Sequence, residues 1–452
     1  MNSTEFAVTT SELHAPVVSR SDVIVVGGGP AGVAAAVTAA RSGVSVTLLE
    51  RYPALGGLAS GGMVLVLDDM INGQEITVTG IVSEYIERLE KLGLAVVPPP
   101  QDRQRSQELW NKWGRWGTFD FHTNVSPKPI CYAAAFDPDG WKRVSNDLVR
   151  EAGVNVVMHS LFSRPVLEDG VMKGVIAETK AGPQAHLGSI VIDASGDIDV
   201  ASRAGADFVQ GNYITTLVFR LGGIDTDAAE EFEQRDPKGA RAINRTAKRI
   251  LGGAWELWWL KTPLPGVVWC NAPHMRHFDG TDPFSLTKAE FTARDRITEA
   301  VEFVRENLPG FERAHVLDTA PQMGVRQTRL LRGEYVMTKD DVTQRRHFPD
   351  TVARGRDYYY PYRSLLPTNV EQLLVAGRHY SATSEAQKAS REIPPCMAMG
   401  QATAVAATVA LKQDQRVRDV DPQLIQAGMR DHGADPGDQP SANATIDEEV
   451  TT

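Results

Sequence analysis

Apolar positions along the chain follow two rhythms that alternate. Short, continuous runs rich in β-branched residues predict buried parallel strands: "SDVIVV" (21–26), "VSVTLLE" (44–50), "VNVVMHS" (154–160), "IVID" (190–193) and "QLLVAG" (372–377). Between them lie helical patterns. "PAGVAAAVTAARSG" (30–43) is alanine-rich and stops at a glycine, and "IVSEYIERLEKLG" (81–93) is amphipathic. "FDPDGWKRVSNDLVREAG" (136–153) carries Asp137 as N-cap with Pro138 at its first position. "PCMAMGQATAVAATVALK" (395–412) is a small-residue helix. "SRPVLEDGVMKGVIAET" (163–179) alternates around an Asp-Gly turn, a β-meander element, and "NG" at 72–73 predicts a hairpin.

Two stretches break this grammar. Residues 97–130 are rich in Pro, Arg and Trp without a period, and residues 212–354 hold long polar helices such as 282–307, several tryptophans and strand-like pieces. A chain of 452 residues exceeds what one core usually supports. The expected class is α/β: a Rossmann-like nucleotide-binding domain, with parallel sheet and β-meander, from 21–62, 131–211 and 355–430. Residues 63–130 and 212–354 form inserted α+β cap regions. Residues 1–20 are expected to be a flexible lead-in and 431–452 a disordered acidic tail.

The formal net charge of −10 argues against nucleic acid and anionic membrane surfaces as partners. No apolar run reaches the length of a membrane span, and the first twenty residues lack the basic start and apolar core of a signal peptide. Cys131, Cys270 and Cys396 are widely separated, which fits a reducing compartment and excludes a CxxC metal pattern. The expectation is a cytoplasmic protein with a small-molecule partner and no metal; a homo-oligomer is allowed.

The most specific motif opens the chain's first helix. Gly27-x-Gly29-x-x-Gly32 joins a predicted strand to that helix, where the glycines permit a tight turn, a backbone approach to pyrophosphate, and close helix–strand packing. The helix N-terminus supplies N–H groups to phosphate, and Glu50 at the end of the next strand is placed for a ribose. A dinucleotide is implied; this motif alone leaves NAD and FAD open.

The choice is made downstream. "IVIDASG" (190–196) resembles the strand-end element that touches the flavin nucleotide in glutathione-reductase-type folds, and "LLVAGR" (373–378) resembles their C-terminal flavin element. With "LGGLASGG", "GVRQTRLLRGEYVMTKDDV" and "PPCMAMGQATAVAA", the chain from 21 to 410 resembles FAD-dependent oxidoreductases related to the fumarate reductase flavoprotein and to the flavin part of heterodisulfide reductase. The resemblance implies FAD. It places Gly27, Gly29, Pro30, Ala31 and Gly32 at the pyrophosphate and Glu50 at the ribose. Arg51, Gly57, Ala59 and Ser60 then lie on the path to the isoalloxazine, Ala194, Ser195 and Gly196 near the adenosine half, and Gly377, Arg378, Met397 and Ala398 at the flavin end. A second GxGxxG for NADPH is absent, so the implied activity is oxidation or dehydrogenation of a small organic substrate by hydride transfer to flavin N5, with electrons passing to oxygen or another acceptor. A redox-neutral isomerase or hydratase and a subunit docking an electron carrier are the alternatives.

Candidates for the acid, base or substrate clamp are His379, Arg326, Arg363 and Tyr360. His379 directly follows the flavin element. Arg326 and Arg329 are three apart and would share a helical face, as a carboxylate clamp or as ion-pair partners of Glu334. Arg363 and Arg391 flank the flavin elements as clamps or pins, and Tyr360 and Tyr362 are proton donors or packing. His122, His274 and His277 lie in the cap regions. Cys396 follows Pro-Pro at a helix start and is read as packing on the flavin. The tryptophans fall into two groups, and Trp110, Trp113 and Trp116 at spacings of three would share a helical face, either core or domain-interface packing or a stacking surface for a ring-bearing substrate.

Overall fold

The computed structural model describes residues 13–255, 257–442 and 445–446. Its centre is the strand Val17–Val26, in which Val23, Ile24 and Val25 are fully buried. Five parallel strands run in the order Asn155–Val157, Val46–Leu49, Val17–Val26, Gly182–Asp193 and Leu373–Val375. Such strands read as unbroken apolar runs because both faces of the sheet are covered.

One face is covered by helices Pro30–Arg41, Ile81–Lys91, Pro138–Glu151 and Ile393–Gln413, which share one core. The small residues have a geometric reason. A Cβ at Gly400 would lie 2.1 Å from the Ala31 carbonyl oxygen, so the long helix 393–413 packs backbone against the opening helix. Asp137 caps helix 138–151 as expected and also ion-pairs with Arg220 at 2.9 Å.

The strand Gly182–Asp193 serves two arrangements. Its first half pairs antiparallel with Val171–Thr179, which in turn pairs with Leu161–Glu168; its last three residues, Val191–Asp193, pair parallel with Leu373–Val375. A second core gathers Trp258, Trp259, Trp269 and Phe311 around the buried face of helix Pro283–Asn307. There a four-stranded sheet runs in the order Trp259–Lys261, Val268–Cys270, Phe219–Gly222, His315–Thr319.

Several expected boundaries move. Helix 81–91, expected in a cap region, packs into the first core, where Tyr85 stacks on Trp141 at 4.1 Å. Met337, Val342, Val352 and Ala353, from the end of the 212–354 insert, join the same core. Val17–Arg20, expected in a flexible lead-in, already belong to the central strand and pair with Ala185–Leu187, while residues 1–12 lie outside the described residues.

The acidic tail is corrected for 431–442: Asp431 ends the helix Pro422–Asp431, Ala434 is buried, Asp435 binds Arg354 at 2.9 Å and the Gly437 carbonyl meets His347 Nε2 at 3.0 Å. Composition marked the segment as solvated, but the almost completely buried Arg354 guanidinium requires a carboxylate, which the chain end supplies. Residues 443–444 and 447–452 lie outside the described residues. Among the described residues, no helix is long and apolar enough to cross a membrane.

Candidate active site

A cleft of about 1040 Å³, counting its open mouth, runs across the carboxyl ends of the parallel strands, where ligands of open α/β sheets bind. At one end the strand 17–26 turns at Gly27, whose φ of +105° suits glycine and whose added Cβ would lie 2.4 Å from the Ala194 carbonyl oxygen. A Cβ at Gly32 would lie 1.8 Å from the Gly27 carbonyl oxygen, whereas one at Gly29 would meet nothing closer than 3.8 Å. Gly29 is the N-cap of helix 30–41 and offers no side chain, so the helix's first N–H groups face the cleft without an internal acceptor.

Glu50 stands beside this turn, with Oε2 accepting from the Gly28 N–H at 2.7 Å and Oε1 from the Tyr52 N–H at 2.8 Å. Burial pushes its carboxyl upward, opposed by these N–H bonds. Across from it, Asp193 is fully buried and accepts from the Ser195 hydroxyl at 2.6 Å and from the N–H groups of Val200 and Ala201 at 3.0 and 2.9 Å. Burial works against its ionisation, but hydrogen bonds from His379, Ser195 and the backbone prevail and hold it below the usual carboxylate range.

At the other end, Gly377 turns with φ of +113°, Arg378 binds Asp197 at 3.2 Å, and His379 Nε2 meets the Asp193 carbonyl at 3.1 Å. Asp197 accepts further from the Thr328 hydroxyl at 2.6 Å. Helix 393–413 starts here without a side-chain cap. Arg378 Nε, His379 Nδ1 and Arg391 Nε are buried without hydrogen-bond partners among the described residues, and all three residues line the cleft. Gln322, from outside the nucleotide-binding fold, also lines the cleft, as does Val64.

A model of the FAD dependent oxidoreductase family matches residues 22–358 and 354–429. The chain belongs to that family. FAD is its cofactor. Eighty residues are 41% identical to fumarate reductase (cytochrome) of Shewanella frigidimarina, covering 16% of this chain and 14% of that protein. Digeranylgeranylglycerophospholipid reductase of Methanospirillum hungatei is 27% identical over 218 residues, covering 47% of this chain and 48% of that protein. The chain thus spans less than half the length of these curated relatives in the matched regions. Among solved structures, a geranylgeranyl bacteriochlorophyll reductase-like protein from Thermoplasma acidophilum is 14% identical with a TM-score of 0.49, covering 91% of this chain and 83% of that one.

The cleft fits FAD on its own geometry: a glycine turn without a side-chain cap at one end, and orphaned buried N–H groups at the other. Of the residues expected at the cofactor, Gly27, Gly29, Pro30, Ala31, Glu50, Arg51, Gly57, Ala194, Ser195, Gly196, Gly377 and Arg378 line it. Gly32, Ala59, Ser60, Met397 and Ala398 stand behind the lining: Ala59, Met397 and Ala398 are buried in the first core, and the Ser60 hydroxyl donates to the Leu55 carbonyl. Sequence reasoning missed Asp197, whose partners Thr328 and Arg378 sit more than a hundred residues away, and Asp193, whose carboxylate organises the turn just after it. Gln322, Leu161 and Phe162 also line the cleft unforeseen.

The catalytic candidates separate. His379 lines the cleft. Arg363 does not; it is pinned to Asp350 at 3.0 and 3.1 Å. Tyr360 is fully buried and donates its hydroxyl to the Ser390 carbonyl, and Tyr362 donates to Val417. Both act as packing. Arg326 and Arg329 do not share a helix: Gly324–Val325 and Arg329–Leu331 are strands paired with residues 215–216 and 208–210. Arg329 binds Asp199 at 3.1 Å, and Glu334 pairs with Arg418 instead.

Arg326 lies over Trp255 at 5.7 Å and reaches Asn271 Oδ1 at 3.3 Å, with no carboxylate ion pair among the described residues. Burial and neighbouring Arg391 push it down to about 10. His274, beside it, is pushed down to about 3 by burial and Arg326, and is therefore neutral. His122 approaches Asp69 at 3.3 Å, and His277 takes a left-handed φ of 65°. Cys396 is buried, donates to the Arg391 carbonyl at 3.3 Å, and is pushed up to about 12 by burial. It remains a thiol. Trp110, Trp113 and Trp116 pack around Phe119 and Ile130, and Trp113 Nε1 bonds Asp102.

Proposed function

We propose that this flavoprotein oxidises or dehydrogenates a small organic molecule that meets the cofactor at the Arg378–Cys396 end of the cleft. When bound, FAD supplies a two-electron acceptor for a hydride. The chain's residues supply the rest. Ala31 and Gly32 N–H groups neutralise pyrophosphate at the helix N-terminus, and Glu50 keeps free lone pairs for ribose hydroxyls beyond its two N–H bonds. Arg378 and the N-terminus of helix 393–413 hold positive potential at the other end, where negative charge gathers on reduction.

The observation that carries the reading is the asymmetry of orphaned donors. Buried N–H groups cost free energy unless a ligand satisfies them, and those of the cleft collect at Arg378 and Arg391, beside the unpartnered His379 Nδ1. The test is anaerobic titration of the purified yellow protein with alcohols, amines and carboxylic acids while following flavin absorbance. Substrate-dependent bleaching supports the reading; bleaching by dithionite alone sinks it.

A further inference from the structure

A second cavity, about 1220 Å³ with its mouth, lies on the 68–132 side of the molecule. Its polar groups are largely consumed by one another. Asp69 takes the Tyr358 hydroxyl, Arg356 Nε at 3.0 Å and His122 Nε2 at 3.3 Å. Asp357 takes Arg345 and Arg356, both at 2.9 Å. Arg103 donates to the Pro98 carbonyl and Arg105 to Pro127.

Asp68 is the exception. It lines the cavity, and its carboxyl has only its own backbone N–H for a hydrogen-bond partner and no ion pair among the described residues. The next residue, Asp69, holds a left-handed φ of 61°, a conformation costly for a non-glycine residue and found where surrounding structure enforces it. The cavity shares no lining residue with the cofactor cleft but lies within one short stretch of chain of it. Val64 lines the cleft and Asp68 the cavity, and four residues of chain span at most about 14 Å. Glu392 and Arg391, at the flavin end, face Asp68 electrostatically, together with Asp69 and Cys131.

Resting on the proposed oxidation, we infer that this cavity is the substrate chamber and that Asp68 is the base that takes the substrate's proton. The substrate class is an alcohol or amine, R2CH–XH with X oxygen or nitrogen. The C–H bond breaks with its electron pair leaving as hydride to FAD, the X–H proton passes to the Asp68 carboxylate, and a C=X bond forms. The proton then leaves through the cavity mouth. Burial, Glu392 and Asp69 all push Asp68 well above the usual carboxylate range, with Arg391 opposing; this makes it a stronger base than an exposed aspartate.

The test compares wild type with Asp68→Asn, which keeps the shape of the neutral acid, and Asp68→Glu. Infrared difference spectra of the holoenzyme should show a neutral carboxyl band titrating well above pH 4 in wild type and missing in Asp68→Asn. With an alcohol or amine that bleaches wild type, Asp68→Asn should bleach about 10²-fold or more slowly. Its rate should no longer rise with pH, and Asp68→Glu should restore part of it. Persistence of the band in Asp68→Asn, or bleaching at the wild-type rate, overturns this proposal and leaves the oxidoreductase reading standing. Bleaching of wild type by dithionite alone overturns both.

Discussion

His379 Nε2 lies 3.1 Å from the main-chain oxygen of Asp193, joining the end of strand 182–193 to the segment that follows strand 373–375. The two segments expected at the flavin are thus one hydrogen-bonded unit, with the Asp193 carboxylate organising the 194–201 turn beneath it.

Asp193→Asn should therefore cost about 2–4 kcal/mol, since buried acceptors of several N–H groups are replaced by an amide that mispairs. The pH dependence has a definite sign. The folded carboxyl lies below its unfolded value, so its contribution is complete above about pH 4–5 and is lost as pH falls through the folded value. The gap in Tm between wild type and variant should stay constant from pH 8 to pH 5 and close in stronger acid; a gap that widens on acidification contradicts the assignment.

Two glycines of one motif should fail differently. Gly32→Ala drives a Cβ to 1.8 Å from the Gly27 carbonyl and should yield unstable protein without flavin. Gly29→Ala has φ of −71° and open space, so the fold should persist while the methyl blocks phosphate. Circular dichroism and the ratio of flavin to protein absorbance distinguish the two outcomes.

All three cysteines are buried and shifted upward by burial. A colourless thiol reagent at pH 8 should modify none in the native protein and all three in denaturant. Rapid native modification of Cys396 would restore a redox role for it.

Arg363→Ala removes an ion pair about a third exposed, so Tm should fall only about 1–2 °C, and flavin content should be unchanged. Tyr360→Phe should cost about 1 kcal/mol and leave the pH profile of bleaching untouched. Loss of flavin reduction in either variant would place that residue in the chemistry.

The nucleotide half was legible because its signals are local. The strand, glycine turn, helix and terminal acid occur within thirty residues, and the glycines have backbone reasons that no neighbour alters. Arg326 and Arg329 were misread because a spacing of three is silent about strand partners at 215–216 and 208–210. Asp68 left no mark either: its carboxyl stands apart only once Arg103, Arg105, Arg345 and Arg356 are seen to hold other acceptors. The chain end was misjudged because composition reports solubility, whereas the need of Arg354 for Asp435 arises from contact across 81 residues.

The strand 182–193 is shared by meander and parallel sheet, and this has a mechanical consequence. A disturbance that frays the antiparallel half shortens the same beam that fixes, at its far end, the turn proposed to meet the flavin. Heat or denaturant should consequently release flavin and melt the meander as one cooperative event, with coincident calorimetric and absorbance transitions.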